Sequence, residues 1–246
     1  MLPEHYQFHT LTSIDSTNLY AMHQIHEGLA ENGTAYYAIE QTNGKGQRGR
    51  TWYSQPNKSI HLSIVLDCTK VSTSQYFRLS AAVAVGARNY LANLTEKPVQ
   101  IKWPNDLYIA DRKAGGILIE NVISNNVWRW AVVGIGININ QNSFPENLQR
   151  AISARIITKQ VYDCESEAKN LCFYIDQSFQ HLLNGGWKSI FEEYNNHLFA
   201  KNTIRKIRKN NPVIPCLIKS VNEQGYLIAG ELNQYSFEHG SVEWIL

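Results

Sequence analysis

Hydrophobic and polar positions change period several times along the 246 residues, and each change marks an element. Residues 6–14 and 34–40 are rich in β-formers, and the stretch from Thr17 to Glu27 between them suits a helix that Ser16 or Thr17 can cap. Residues 59–67 alternate in part, with Ile60, Leu62, Ile64 and Leu66 on one side, which predicts a half-buried strand. Residues 75–94 are rich in Ala, Val and Leu around Arg78 and Arg88 and predict a long buried helix. Residues 99–101, 107–109, 115–123 and 127–139 read as strands, with Ser124, Asn125 and Asn126 as a hairpin turn between the last two. Helical spacing returns in residues 165–183 and 187–198, parted by Gly185 and Gly186. From residue 203 onward the runs shorten (213–221, 226–229, 235–237) and are separated by polar turns, the spacing of a small β-barrel. The whole predicts an α+β chain of two domains, a large one over residues 1–200 and a small one over 201–246.

Composition narrows the function classes. A formal net charge of +2 argues against a surface built throughout for nucleic acid, while allowing a local basic site. Nothing approaches the ~18 consecutive apolar residues of a membrane span, and the first ten residues lack the basic-then-apolar pattern of a signal peptide. The expectation is a cytoplasmic protein with no membrane partner. Cys68, Cys164, Cys172 and Cys216 form no C-x-x-C pair, so reduced core thiols are expected. His23 and His26 share a helix face, but no third ligand lies nearby and an exposed face is the expectation. The basic run over residues 201–209 is expected to be a solvated lead-in to the barrel, with docking of an acidic partner as the alternative.

Two stretches carry chemistry. In Gly44, Lys45, Gly46, Gln47, Arg48, Gly49, Arg50, Thr51 and Trp52, glycines alternate with cations and an indole closes the run. Glycine lets the backbone approach a ligand, Lys and Arg supply charge and donors, and Trp offers a face for stacking. This suits a mobile loop over a phosphate-bearing ligand with a ring; a solvated basic turn is the other reading. In Lys102, Trp103, Pro104, Asn105 and Asp106, the proline ends a strand and sets the polar groups on a corner. A cation beside Asn and Asp suits a triphosphate with its magnesium, although Pro-Asn-Asp is also ordinary turn chemistry.

These two stretches are followed in order by Asp111, Arg112, Lys113, Ala114, Gly115 and Gly116, and then by Val133, Gly134, Ile135, Gly136, Ile137 and Asn138. Ser16-Thr17-Asn18 and Glu40-Gln41-Thr42 precede them. The ordered set resembles the biotin protein ligases, specifically over about residues 5–140 and more loosely to the C-terminus. The resemblance implies a mixed β-sheet flanked by helices, like the class II aminoacyl-tRNA synthetase and biotin–lipoate ligase catalytic fold, with an SH3-like C-terminal barrel. It also implies ATP-dependent attachment of biotin, through biotinyl-AMP, to a lysine of a biotin carboxyl carrier protein. ATP and magnesium are the implied co-substrate and metal, biotin is the substrate, and no tightly bound prosthetic group is expected. Too few residues precede Ser16 for the helix-turn-helix domain of bifunctional members, so the monofunctional type with no DNA partner is expected. The oligomeric state is left open, a homodimer included.

By motif, the resemblance assigns biotin to Ser16, Thr17, Asn18, Gln41, Gly44, Lys45, Gly46, Gln47, Lys113, Gly115, Gly116 and Gly134. It assigns ATP to Arg48, Arg50, Trp52, Lys102, Asn105, Asp106 and Asn138, and magnesium to Asp106. Trp52 is expected to stack on adenine or to anchor the loop as a hinge. Lys113, with Lys45 and Arg48, is expected to stabilise charge where carboxylate meets phosphate. The loop departs from the family pattern at Gln47, where an arginine is common, so the division of labour among Lys45, Gln47 and Arg48 is open. Lipoate ligation, a nucleic-acid-binding module and a catalytically inactive scaffold are the rival readings.

Overall fold

The alternating runs pair into two sheets. The computed structural model describes residues 2–53, 55–209, 212–230 and 234–245. Its first sheet has seven strands in the order β1-β2-β3-β7-β6-β5-β4. These are β1 (Gln7–Ile14), β2 (Thr34–Gln41), β3 (Ser59–Asp67), β4 (Val99–Lys102), β5 (Asp106–Ile109), β6 (Arg112–Ser124) and β7 (Val127–Asn138). β1 and β2 run parallel and every other neighbour is antiparallel, so the sheet is mixed. The β6–β7 hairpin turns on Asn125 and Asn126 at φ +51° and +59°, the paired positive values that a two-residue connection needs.

Helices cover the two faces unequally. α2 (Tyr76–Thr95) and α4 (Cys164–Leu183) lie on the face that carries Ile60, Leu62, Ile64, Val133, Ile135 and Ile137, all in the main core, and α5 (Trp187–Asn196) packs against those two helices. Burying each such side chain contributes roughly 1.5–3 kcal/mol. α1 (Thr17–His26) lies on the other face, where Ala21, Tyr36, Val65 and Val132 form a smaller cluster. α2 approaches α4 closely at Gly86, where an added methyl would stand 2.7 Å from the Tyr174 carbonyl oxygen. Asp163 caps α4 by accepting from the Ser166 amide, and Ser153 caps the short α3 (Ala154–Thr158) in the same way.

The expected barrel segment is a five-stranded antiparallel sheet, β11-β10-β9-β8-β12. Its members are β8 (Ile204–Arg208), β9 (Val213–Val221), β10 (Leu227–Ala229), β11 (Tyr235–Phe237) and β12 (Glu243–Ile245). Trp103 joins it to the large sheet: the indole is buried and its Nε1 donates to the Gly225 carbonyl at 2.9 Å.

Four expectations change. The basic lead-in contains strand β8, with Ile207 buried and the cations of Arg205, Lys206 and Arg208 at its edges and outer face. Strand β3 is buried on both faces, not half-buried, because its polar side is covered as well. β6 begins at Arg112 and so carries Lys113 within the sheet. Ser16 sits at the N-cap of α1, but its side chain makes no capping bond.

Replacing Gly86 by Ala should force α2 and α4 apart. The expected loss is about 2 kcal/mol, of the order of overpacking a core. Urea unfolding would read it as a lower midpoint at unchanged slope, and an unchanged midpoint would show that the helices yield freely.

Candidate functional site

Period-two alternation builds the site. On β3, Ile60, Leu62 and Ile64 face the helices while Ser59, His61 and Ser63 face the other way, and all six are buried to 1% exposure or less. Opposite them on β7, Ile137, Ile135 and Val133 face the helices, and Asn138, Gly136 and Gly134 face the site. The rows therefore read Ser59–Asn138, His61–Gly136 and Ser63–Gly134. The middle row continues through Gly116 on β6 to Asp106 on β5, and the last row through Leu118. Two neighbouring glycines make a bare floor, with His61 at one end of the row and Asp106 at the other. Above it lies a cavity of about 430 Å³.

At the Gly134 end, a methyl on Gly134 would collide with the Asn18 carboxamide. Asn18 is held from three sides: its Nδ2 donates to Glu120 Oε2 at 2.7 Å and to the Leu118 carbonyl at 3.2 Å, and its Oδ1 lies 2.6 Å from Ser63 Oγ. Ser63 Oγ is also 2.7 Å from Thr17 Oγ1, so its single proton serves one partner at a time. Thr17 donates from its amide and its hydroxyl to Gln41 Oε1, at 2.8 and 3.1 Å. The start of α1 is thus tied to β2, β3 and β6 by short hydroxyl and amide groups suited to a small polar ring.

At the other end the loop folds onto itself. The Trp52 amide donates to the Gly44 carbonyl at 2.8 Å and the Gly46 amide to the Arg50 carbonyl at 2.7 Å, with Arg48 and Gly49 turning the chain at φ +59° and +72°. The Trp52 indole rests on Gly136, its ring atoms 2.6–3.0 Å from where a methyl would be. The small sheet closes this end: His239 Nε2 is 2.8 Å from Gln47 Oε1, and the Arg48 guanidinium lies against Gly240.

Cations gather beyond Trp52. Lys113 Nζ stands 2.6 Å from Asp106 Oδ1 and 5.7 Å from the centre of the Trp52 ring. Lys102 Nζ is 4.0 Å from Asp106 Oδ2 and lies over the rings of Tyr108 and Trp244 at 5.6 and 5.3 Å. Burial lowers its pKa, Asp106 opposes that, and Lys113 and Arg50 add to it. Lys45, Arg48, Arg50, Lys102 and Lys113 line the cavity against the carboxylates of Asp106 and Glu243, an excess that suits an anion.

The expected residues converge on this cavity, with two exceptions. Gly44 is not on its wall, though a methyl there would crowd Trp52 and Gln41. Gly115 faces the core: a methyl there would meet Leu107 and Ile137. Asn105 donates to the Ile117 carbonyl, and Asn138 Nδ2 donates to the Ile152 carbonyl at 3.2 Å, so both also brace backbone. Among the described residues no three His, Cys, Asp or Glu side chains gather as a metal site. His61, His239 and Trp244 line the cavity, and Ser63 stands behind Thr17 and Asn18, which do; none of the four is marked by the sequence motifs.

The sequence matches the biotin/lipoate A/B protein ligase family over residues 10–138. It is 27% identical over 233 residues to a bifunctional ligase/repressor BirA of Bacillus subtilis, covering 93% of this chain and 70% of that protein. It is 34% identical over 138 residues to the BirA of Escherichia coli, covering 56% of this chain and 42% of that protein. The fold superposes on a biotin protein ligase from Aquifex aeolicus in complex with biotin and ATP with a TM-score of 0.82, at 24% identity and over 97% and 98% of the two chains.

Replacing Gly134 by Ala should displace Asn18 and break its bonds to Ser63 and Glu120. We expect a loss of about 1–3 kcal/mol in stability, together with a shifted Asn18 side-chain amide signal in NMR. An Asn18 signal at its wild-type position would show that the methyl is accommodated elsewhere.

Proposed function

The chain belongs to the biotin/lipoate A/B protein ligase family, and from that premise we propose that it is a biotin protein ligase. It joins biotin to ATP, releasing pyrophosphate, and transfers the biotinyl group from biotinyl-AMP to a lysine of a biotin carboxyl carrier protein. One observation carries this reading: a single cavity joins a hydroxyl-and-amide cluster to a cation cluster across a floor of two glycines.

The cyclic urea of biotin suits the Thr17, Asn18, Gln41 and Ser63 end. Gly116 and Gly136 put no side chain of their own between this end and Lys113, so a thin chain carries the carboxylate towards Lys113 along that row. There a carboxylate oxygen attacks the α-phosphorus, and the bond from that phosphorus to the pyrophosphate oxygen breaks. Both reactants are anions, so positioned cations lower the barrier by meeting charge already in place. Lys113 sits at that junction, and Arg48, Arg50 and Lys102 suit the phosphates. In the second step the carrier amine attacks the carbonyl carbon of the anhydride, AMP leaves, and the amine gives up a proton.

Trp52 covers the floor near the nucleotide end and offers its face to adenine. Asn138 braces backbone beside it. Asp106 is engaged by Lys113 at 2.6 Å, so the donor set suits a magnesium carried in by the triphosphate rather than one held in a protein cage. We place the reaction in the cytoplasm, where ATP is supplied. No described helix is long and apolar enough to cross a membrane.

The test is mass spectrometry of a carrier domain incubated with the protein, biotin, ATP and magnesium. A gain of one biotinyl group on lysine, lost when ATP is omitted, is expected. A carrier that gains lipoyl but not biotinyl groups would replace the reading. Lys113→Ala should keep the far-ultraviolet dichroism of the parent and slow biotin-dependent pyrophosphate release ~100–1,000-fold, the usual loss for one positioned charge-stabilising donor. Release at the parent's rate would remove Lys113 from the chemistry.

A further inference from the structure

His61 is 1% exposed and lies on the polar side of β3, opposite Gly136 and two residues from Ser63. The residue-by-residue register of β2 on β3 runs Ala35–Ile64, Tyr36–Ser63 and Tyr37–Leu62. At the next step the Ala38 carbonyl meets the His61 ring instead, at 3.2 Å from Nδ1. A carbonyl oxygen only accepts, so Nδ1 carries the proton. Burial pushes the imidazole pKa down to about 4, which keeps the ring neutral. A neutral ring protonated on Nδ1 leaves a lone pair on Nε2.

Among the described residues that lone pair has no partner. Three buried side-chain atoms on the cavity wall lack one among the described residues, and two of them, Trp52 Nε1 and Trp244 Nε1, are N–H donors. His61 Nε2 is the acceptor. Donors suit the anionic groups of a substrate, whereas an acceptor needs an N–H or O–H from it. A buried acceptor left unpaired is costly, so a ligand that supplies the proton gains relative to one that does not.

Resting on the ligase reading above, we propose that His61 Nε2 accepts a hydrogen bond from a ring N–H of the bound cyclic urea and so selects biotin against acids whose ring has no N–H. His61 is about 7 Å along the strand from Ser63, which places it beside the ring-recognising cluster and short of Lys113. A dithiolane ring such as that of lipoate offers no donor and leaves Nε2 unpaired.

Calorimetry on the full chain would compare the parent, His61→Phe and His61→Gln with biotin, lipoate and a non-hydrolysable ATP analogue, each alone. His61→Phe keeps a flat ring without the acceptor. His61→Gln puts a carbonyl oxygen near the Nε2 position. We expect biotin affinity to fall about tenfold in His61→Phe, to recover largely in His61→Gln, and nucleotide and lipoate affinity to stay within about twofold of the parent. In nitrogen NMR of the parent with labelled histidine, the Nε2 signal assigned to His61 should move upfield when biotin is added. Parent-like biotin affinity in His61→Phe, an unmoved Nε2 signal, or a loss confined to the nucleotide would overturn the proposal and leave the ligase reading intact. A parent chain that binds no biotin would overturn both.

Discussion

The pairing of β3 with β7 is the constraint on which the molecule depends. Nine consecutive residue pairs, from Ser59–Asn138 to Asp67–Trp130, hold the two strands in one register. A slip of one residue would exchange the faces, putting Ser59, His61 and Ser63 under the helices and Ile60, Leu62 and Ile64 into the cavity. The apolar side, buried under α2 and α4, fixes that register by an area term that no single polar group could match. The chemistry of the other face is therefore placed by hydrophobic burial on the reverse of the same strands.

From that register the rest follows in rows. Glycine at 116, 134 and 136 leaves the centre of the polar face without side chains, so neighbouring elements can come down on it. Asn18 fills the space at Gly134 and Trp52 the space at Gly136. The loop that ends in Trp52 is closed partly by its own backbone and partly by the small sheet, through His239 and Gly240. Trp103 fixes that sheet to the corner that also carries Lys102, Asn105 and Asp106. The second sheet thus forms part of the wall that the first sheet lacks, with Val242 and Trp244 on the lining.

Much of this was legible in the sequence, and the gaps have physical causes. Long single-period segments read correctly: α2 and α4 show apolar spacing over 20 residues each, and Asn125-Asn126 is strong hairpin chemistry. The loop and the lysine–proline corner were recognisable because glycine, proline and cations occur there in an unusual density. His61 and Ser63 were hidden by the same alternation that revealed β3, since polar residues at every second position ordinarily mark a solvent face. Only the partner strand, with glycine opposite each, shows that this face is covered. Gly115 and Gly116 look alike in sequence, but strand parity sends one to the core and the other to the cavity. β8 was obscured by its charges, which leave Ile207 as its one buried residue.

The cation cluster, the anion site of the proposed function, is held in the fold by its own counter-charge. Lys102 and Lys113 approach one carboxylate from two sides, and Lys102 is desolvated enough to lower its pKa. Without Asp106 the two ammonium groups would repel across a partly dry space, where Coulomb terms are stronger than in water. Asp106 supplies the counter-charge, and the rings of Tyr108, Trp244 and Trp52 add their electron-rich faces. The arrangement is balanced but not saturated. Lys113 remains a third exposed, and Arg48 and Arg50 have no carboxylate partner within ion-pair distance among the described residues. Under the proposed function, a phosphate entering beside Trp52 would meet cations already held in place by the fold.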